Sequence, residues 1–364
     1  MATQIQSTNE PARVVLEGVP RVDWGVGTPI GSVTAFPVSL WSCMKFLGED
    51  YPNEYISGTS GSAFRLLWKP GWFQDNVDLK LMRKDGNEPL RRAFEAVGYA
   101  YDIVGREEGR DNEAYFRERI IESIRDKGRP VLAFGVIGPP ECCIIAGYDE
   151  YGDILIGWNY YAFPNSPGVE FEPSGYFRKR DWFTDDTYAL IIIGEKQEKP
   201  PLGEIYRKAL EWALEVVRTP MIQDGGGSNR HNGLAAYTAW AEKLLQDEDF
   251  PSDDMAMLGG RMSCHDDNMN VVGEGRWCAS QFLKQIAKDE PDMAGELLQA
   301  AACYEAEYDL MQKGWALVGG MGREEPKVRK LAESDVRRQI ASLILQARDK
   351  DEEAADHIER ALAK

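Results

Sequence analysis

The stretch TAFPVSLWSCMKFLG at residues 34–48 predicts a buried helix on which the first half of the chain is built. Pro37 stands where a helix can begin and Gly48 where one can end. Between them, Leu40, Trp41 and Met44 indicate an apolar face that other elements must cover. The sequence on either side of this helix should therefore supply a sheet or further helices that pack against it.

Four apolar stretches further along the chain predict an antiparallel sheet. They are residues 130–136, 142–148, 154–158 and 187–193. The turn at residues 149–153 joins the second and third stretches into a hairpin. Before them, the sequence predicts helices at 88–97 and 112–126 and a strand at 99–104. Helices followed by a block of antiparallel strands are typical of the α+β class.

The character of the sequence changes near residue 200. Residues 198–201, EKPP, form a charged stretch that ends in two prolines, which is typical of a linker. Helical patterns follow at 202–218, 233–245, 274–288, 292–315, 334–347 and 352–363. The loop at 223–228, QDGGGS, is flexible by composition. We therefore predict an α+β domain over residues 1–199 and an all-α helical bundle over residues 200–364.

Composition limits the partners of the protein. The chain has 364 residues, 60 of them acidic and 42 basic, so its formal charge is −18. This charge argues against nucleic acid or an anionic membrane as the main partner. The first thirty residues lack the pattern of a signal peptide, and the apolar stretches are shorter than the ~20 residues of a membrane helix. We expect a cytoplasmic protein whose six cysteines are reduced.

The stretch at residues 34–48, which contains the helix predicted from Pro37 to Gly48, resembles a known family together with the strands after it. Residues 129–131, Arg-Pro-Val, lead into the first strand, the second strand ends in Gly-Tyr-Asp at 147–149, and the third ends in Trp-Asn at 158–159. Over about residues 20–195 this layout resembles the papain-like cysteine peptidases that process bacteriocin leaders. It also resembles the butirosin biosynthesis protein H family of acyltransferases, whose N-terminal domain is related and whose C-terminal part is helical.

The resemblance implies where a catalytic centre would lie. In that family the helix opens with Asp-Cys-Gly-Pro, and the strand after Arg-Pro-Val begins with His. Counted from Pro37, the nucleophile position is Ala35, and counted back from Gly147, the base position is Glu141. The third position is retained as Asn159. The two residues that the family's chemistry most needs are therefore absent.

Other nucleophiles in the first half lack a suitable base. No histidine stands before residue 231, so a Cys–His pair cannot form within residues 1–200. Cys43 lies among apolar neighbours and reads as a core thiol. Cys142 follows Glu141, whose carboxylate opposes thiolate formation. Thr34 could act as a hydroxyl nucleophile only if Glu141 served as its base with a raised pKa.

The three histidines all lie in the helical half. We expect His231, beside the glycine-rich loop, and His357, on the last helix, at the surface or an interface. Residues 264–267, Cys-His-Asp-Asp, are of metal-ligand types, but consecutive side chains splay around a helix. We expect Asp266 or Asp267 to cap the following helix and His265 to bind no metal. No metal site and no cofactor are predicted.

Two further features either bind a ligand or simply pack. Residues 57–65, SGTSGSAFR, could hold an anion through their backbone N–H groups, although a tight turn is the interpretation we favour. Aromatic side chains could line a cleft for an apolar or planar ligand, or they could fill the core. They are Trp158, Tyr160, Tyr161, Phe163, Tyr176, Phe177, Trp182 and Phe183, with Trp68, Trp72 and Phe73 from earlier in the chain.

The sequence leads to two main hypotheses about function. The first is a non-catalytic protein whose former active-site cleft, with Ala35, Glu141 and Asn159 on its wall, binds a small molecule or a peptide. The alternative is a cysteine-dependent amide hydrolase or acyltransferase with a relocated nucleophile and a histidine from the helical domain, His231 or His265. A third hypothesis is an assembly protein that forms a homodimer through its helical half.

Overall fold

The computed structural model describes residues 11–25, 28–29, 31–251 and 253–364. The chain forms two compact units. The described residues of the sheet unit lie within 1–26, 38–51 and 99–197, and those of the helical unit lie within 27–37, 52–98 and 198–364. The sequence predicts contiguous domains that meet at residues 199 and 200, whereas each of these units combines separate stretches of the chain.

In the described residues the regular elements are as follows. The α-helices are α1 (Ala35–Phe46), α2 (Asn53–Ser60), α3 (Glu88–Val97), α4 (Asn112–Ile121), α5 (Leu202–Arg218), α6 (Leu234–Leu244), α7 (Met255–Asp289), α8 (Ala294–Val318), α9 (Glu325–Ala332) and α10 (Ser334–Leu362). The strands are β1 (Val14–Val15), β2 (Leu67–Trp68), β3 (Tyr99–Gly105), β4 (Val131–Phe134), β5 (Cys142–Asp149), β6 (Ile154–Trp158), β7 (Val169–Phe171), β8 (Phe177–Arg180), β9 (Ala189–Lys196), β10 (Met221–Gln223) and β11 (Asn229–Asn232). None of these helices has both the length and the apolar character that crossing a membrane requires. Residues 1–10, part of the N-terminal stretch searched for a signal peptide, lie outside the described residues.

The sheet unit is built on an antiparallel sheet in the order β3-β9-β4-β5-β6-β8-β7, with β1 paired to β5. The central strands β4 and β5 are apolar on both faces and buried, because each face of the sheet is covered. On one face, Phe116 and Ile120 of α4 share a core with Ile145 and other strand residues. On the opposite face, the Cys43 thiol of α1 lies beside that of Cys142. The predicted α+β pattern of this region is confirmed.

The helical unit is organised around α7. All nine residues from 268 to 276 on this helix are buried, so the middle of α7 is surrounded by protein on every side. Its core combines α7 with α6, α8 and α10, and Trp240 and Trp315 are among the buried residues. Gly275 is required there, because a Cβ at this position would lie 2.9 Å from the Ala63 carbonyl oxygen.

The centre of the helical unit contains a cluster of buried ionisable groups that we call the ionic core: Arg276, Glu307, Asp351, Tyr237 and Tyr304, none of which is exposed. Arg276 Nη2 donates hydrogen bonds to Asp351 Oδ2 at 2.6 Å and to the Tyr237 hydroxyl at 2.9 Å. That hydroxyl donates to Glu307 Oε2 at 2.8 Å, which also lies 3.5 Å from Arg276 Nε. One guanidinium therefore faces two carboxyl groups in an environment that excludes water.

Several predicted elements need correction. Helix α7 begins at Met255 rather than at residue 274, and α10 is one continuous helix where the sequence predicts two. The region after residue 200 is not entirely helical, because β10 and β11 form a hairpin that pairs with β2. The glycine-rich loop of that hairpin is an ordered turn in which Asp224 Oδ1 accepts hydrogen bonds from the Gly226 and Ser228 amides. Asp224 also pairs with buried Arg230.

Candidate functional site

One surface cleft of the sheet unit, lined mainly by apolar and aromatic residues, has a volume of about 670 Å³, which is the size of an ordinary ligand pocket. It opens where β6 and β7 end and β8 begins, because Gly157 and Phe171 both pair with Phe177. Its lining residues are Arg21, Val22, Asp23, Trp24, Gly25, Gly157, Trp158, Asn159, Tyr160, Ala162, Phe163, Pro164, Phe171, Gly175 and Phe177. We call this site the aromatic cleft.

Three aromatic rings of the cleft are exposed to an unusual degree. Trp24 is 38% exposed, Phe163 45% and Phe171 41%, whereas Phe177 beneath them is buried. Phe177 belongs to the core of the sheet unit, so the cleft lies directly against that core. Contiguous exposed apolar surface of this kind marks binding sites on folded proteins.

The two indole rings of the cleft are fixed by their own N–H groups. Trp158 Nε1 donates to the Val19 carbonyl at 2.9 Å, and Trp24 Nε1 donates to the Tyr160 carbonyl at 2.8 Å. Trp24 also packs edge-to-face against Tyr160 and Tyr161. Because both N–H groups are already used, these rings offer a ligand their apolar faces and edges, not hydrogen bonds.

The charge of the cleft is balanced at its rim. Arg21 forms an ion pair with Asp23 at 2.6 Å, and its guanidinium lies 5.9 Å from the centre of the Trp158 ring. Both charges are accessible to water and therefore contribute little to stability. They are the polar groups of the cleft that remain accessible to a ligand's own charges.

Two of the positions implied by the resemblance lie at the same end of the sheet. Glu141 immediately precedes β5 and Asn159 immediately follows β6, and these strands pair through Ile144 and Trp158. Asn159 lines the aromatic cleft, where its side chain accepts a hydrogen bond from the Tyr161 amide and donates one to the Ile137 carbonyl. This side chain therefore shapes the turn that carries the cleft's aromatic residues.

The third position, Ala35, and the candidate nucleophile Thr34 belong to the helical unit, where a buried carboxylate holds the start of α1. Glu274 Oε2 accepts hydrogen bonds from the Val33 amide at 2.9 Å and from the amide and hydroxyl of Thr34, both at 3.0 Å. The Thr34 hydroxyl also accepts a hydrogen bond from Arg65 at 3.1 Å. Ala35 follows directly and is buried.

Sequence reasoning missed Glu274, which is the carboxylate that Thr34 contacts within this unit. A Ser32 hydroxyl hydrogen bond at 2.6 Å completes its set of donors. The available signal was Gly273-Glu274-Gly275, since two glycines inside a helix are costly unless close packing needs them. A carboxylate so placed holds the loop before α1 in position.

All six thiols are buried. Burial raises the pKa of Cys43 far above its usual range, and burial raises the pKa of Cys142 as well, with further contributions from Cys143, Cys43 and Glu141. Burial also raises the pKa of Cys143 to about 12, although the Asn159 side chain lowers it in part. Thiols of this kind are poor nucleophiles at neutral pH.

All three histidines belong to the helical unit. His231 lies in β11, and His357 in α10 is 2.7 Å from Glu296. His265 is buried against Trp240, and burial lowers its pKa to about 3. Cys264 bonds to Asn76 and to the Phe73 carbonyl. Throughout the described part of this unit, no thiol is hydrogen-bonded to an imidazole.

The Cys-His-Asp-Asp segment needs a correction, because it lies inside α7 and not before a helix. Asp266 and Asp267 therefore do not cap α7, whose first turn is capped by Asp254 instead. They pair with Arg323, and Asp266 also accepts a hydrogen bond from Trp315 at 3.2 Å. Among the residues that the structure describes, no group of three or more His, Cys, Asp or Glu side chains could hold a metal ion.

The remaining candidate features divide between binding and packing. Residues 57–60 end helix α2 and are buried with the turn after them, so this segment is neither an open loop nor an anion cradle. The aromatic cleft is lined by four of the predicted aromatic residues, which is the first of the two interpretations given above. They are Trp158, Tyr160, Phe163 and Phe177. Trp182 and Phe183 pack in the core instead, and Trp68 and Trp72 pack in the helical unit.

A comparison with models of known protein families found no match, and a comparison with curated protein sequences found none either.

Proposed function

We propose that the protein is a non-catalytic, papain-like binding protein and that the aromatic cleft of its sheet unit takes an apolar or planar group of a small molecule or peptide. The observation that carries this proposal is the exposure of Trp24, Phe163 and Phe171 around a cleft of about 670 Å³. Exposed rings lose water when they are covered, and a ligand that covers them recovers that free energy.

The chemistry of the cleft supports this class of ligand. Its indole N–H groups are occupied, so a flat or apolar group fits better than a sugar, whose hydroxyl groups need partners. The Arg21–Asp23 pair at the rim suits the polar end of a larger molecule. Of the three positions that the family resemblance implies, Asn159 lines this cleft, whereas Ala35 and Glu141 are not among its lining residues.

The thiols of the sheet unit support binding over catalysis. Cys43, Cys142 and Cys143 are buried, their pKa values are raised, and the first 230 residues contain no imidazole to activate them. Treatment with iodoacetamide followed by peptide mass spectrometry should leave these three thiols unmodified in the folded protein. Rapid stoichiometric labelling of one of them would favour the alternative of a cysteine-dependent hydrolase or acyltransferase.

Fluorine NMR of protein labelled with 5-fluorotryptophan tests binding directly. Titration with N-acetyl-tryptophanamide should shift the signals of Trp24 and Trp158, which are assigned from Trp→Phe variants. Phe163→Ala should weaken binding by about two- to tenfold, because an aromatic contact contributes about 0.5–1.5 kcal/mol. The matched control is Phe73→Ala, which removes an equally exposed ring from the helical unit. Equal binding by all three proteins, or none up to the solubility limit, would contradict the proposal.

A further inference from the structure

We propose that the open edge of β7 binds an extended peptide as an added strand and that an aromatic side chain of this peptide enters the aromatic cleft. The inference rests on the proposed function of the cleft and names its ligand. It follows from the position of β7 at the end of the sheet order, where β8 is its one partner strand in the described residues.

The hydrogen-bond register of β7 leaves main-chain groups facing outward. Glu172 donates its N–H to the Tyr176 carbonyl at 2.8 Å, so these two residues form a hydrogen-bonded pair. In antiparallel strands such pairs alternate with pairs that are not hydrogen-bonded. Glu170, opposite Arg178, is therefore bonded to β8, whereas the N–H and C=O groups of Val169 and Phe171 point away from it.

Phe171 is the residue that joins this open edge to the cleft. The Val169 N–H already donates to the Ser166 carbonyl at 3.2 Å. The N–H and C=O groups of Phe171 point away from β8, and no residue in the described part of the chain forms a hydrogen bond with them on that side. An antiparallel peptide residue opposite Phe171 would exchange two hydrogen bonds with it and would direct its side chain to the same face of the sheet, where the Phe171 ring lines the cleft.

The charge next to this edge selects the neighbouring peptide residue. Glu170 points to the opposite face of the sheet, and its side chain is 82% exposed, with Arg178 at 3.8 Å. A peptide residue opposite Glu170 lies within reach of its carboxylate, so a lysine or arginine is favoured there. The net charge of −18 attracts the same kind of partner. The site thus fits an extended segment in which a basic residue adjoins an aromatic one.

An extended peptide also suits the cleft better than a free aromatic compound does. The fixed indole rings supply apolar contact and no hydrogen bonds, whereas the edge of β7 supplies a donor and acceptors beside them. A peptide main chain offers the complementary acceptor and donors at the spacing of a strand. Exposed charge on a short edge strand discourages pairing with a second copy of this acidic chain, and it leaves the edge available to a basic partner.

The test uses the full-length protein and the peptide Thr-Lys-Phe-Lys-Thr-amide, labelled with fluorescein on its N-terminal amine so that both lysines stay charged. Its control is the same peptide with an N-methyl group on the phenylalanine nitrogen. This group removes the N–H that would donate to the Phe171 carbonyl, and it leaves every side chain of the peptide unchanged. We expect fluorescence anisotropy to show about tenfold weaker binding of the methylated peptide, because hydrogen bonds of this kind contribute about 0.5–1.5 kcal/mol each. The Phe171 amide signal in an ¹⁵N-resolved NMR spectrum should shift with the unmodified peptide.

Protein variants test the role of charge. Glu170→Lys should weaken binding about threefold, because like charges on facing strands repel. Glu113→Lys makes the same charge change at an exposed site on α4 and should leave binding unchanged. Equal affinity for both peptides would overturn the β7 inference while leaving an aromatic ligand in the cleft. Absence of binding by both peptides and by N-acetyl-tryptophanamide would overturn the proposed function with it.

Discussion

The aromatic cleft and the ionic core depart from the usual burial of residues in opposite directions. In the cleft, apolar rings such as Phe163 and Phe171 stand in water. In the ionic core, Arg276, Glu307 and Asp351 are removed from water completely. Each departure has a cost in free energy, but the ionic core meets its cost with internal partners, whereas the cleft leaves its rings uncovered.

Only one of these two departures from usual burial indicates a functional site. Charges that find partners within the same unit are explained by the fold, because Arg276 binds to groups on three helices and so fixes their packing. Rings that the described residues of the sheet unit leave exposed are not explained by the fold. Mutations should therefore affect stability at the ionic core and binding at the cleft, and the following predictions test this division.

The largest effect is expected for Arg276→Met. The change leaves Asp351 buried without its cation and removes the guanidinium that faces Glu307, so it should lower the free energy of unfolding of the helical unit by about 3–5 kcal/mol. Hydrogen exchange measured by mass spectrometry over α7 and α8 reports this loss. The control is Arg329→Met, which breaks an exposed pair with Glu325 and should cost less than about 0.5 kcal/mol. Similar losses in both variants would remove the distinction between the ionic core and ordinary surface pairs.

Acid should destabilise the helical unit through His265. The folded pKa is about 3 against 6.5 for the unfolded chain, so below pH 6.5 the unfolded chain binds a proton that the folded chain refuses. Between pH 6.5 and pH 5 this linkage removes about 2 kcal/mol of stability, at 1.36 kcal/mol per pH unit. Urea unfolding at pH 7 and pH 5 should show that His265→Gln loses less than the unaltered protein over this range. His357→Gln is the control, and an identical loss in all three proteins would exclude His265 as the cause.

Local sequence patterns predicted the bounds of an element well where the signals that set those bounds lie within the element itself. Helices α3 and α5 and strand β6 have the predicted bounds, because caps, prolines and alternation lie within each stretch. Helix α7 was predicted twenty residues too short, since its first half carries polar residues such as Asp266 that are satisfied by partners distant in sequence. Periodicity cannot reveal a partner of this kind.

The candidate site could be predicted only in part for the same reason. Trp158 and Phe163 were identified because they lie within one aromatic segment. Trp24 and Phe171 were missed, because the pairing of β7 with β8 and the return of the N-terminal segment to the Tyr160 region bring them to the cleft. Glu274 was missed because 240 residues separate it from Thr34. Such contacts follow from topology, which a single sequence without relatives does not reveal.

A smaller effect is expected for Glu307→Gln. Burial, together with Asp351, raises the pKa of Glu307 well above its usual range, so the folded chain holds a proton that the unfolded chain releases at neutral pH. The stability of the unaltered protein should therefore fall as the pH rises, whereas an amide does not titrate. Urea unfolding should show a change within about 1 kcal/mol at pH 5, and it should favour the variant by a larger margin at pH 8, because the unaltered protein loses about 1.36 kcal/mol per pH unit while only its folded form holds the proton. A loss above about 3 kcal/mol at both pH values would mean that Glu307 is ionised and paired with Arg276.

The smallest effect on stability is expected where we expect the largest effect on binding. Phe163→Ala removes a ring that is 45% exposed and so should change the free energy of unfolding by no more than about 0.5 kcal/mol. Phe177→Ala, in the buried floor of the same cleft, should cost about 3–5 kcal/mol. Urea unfolding of the two variants compares a surface ring with a core ring on one side of the sheet. If Phe163→Ala were as damaging as Phe177→Ala, the exposed ring would serve the fold, and the contrast between a cleft made for binding and a core made for stability would fail.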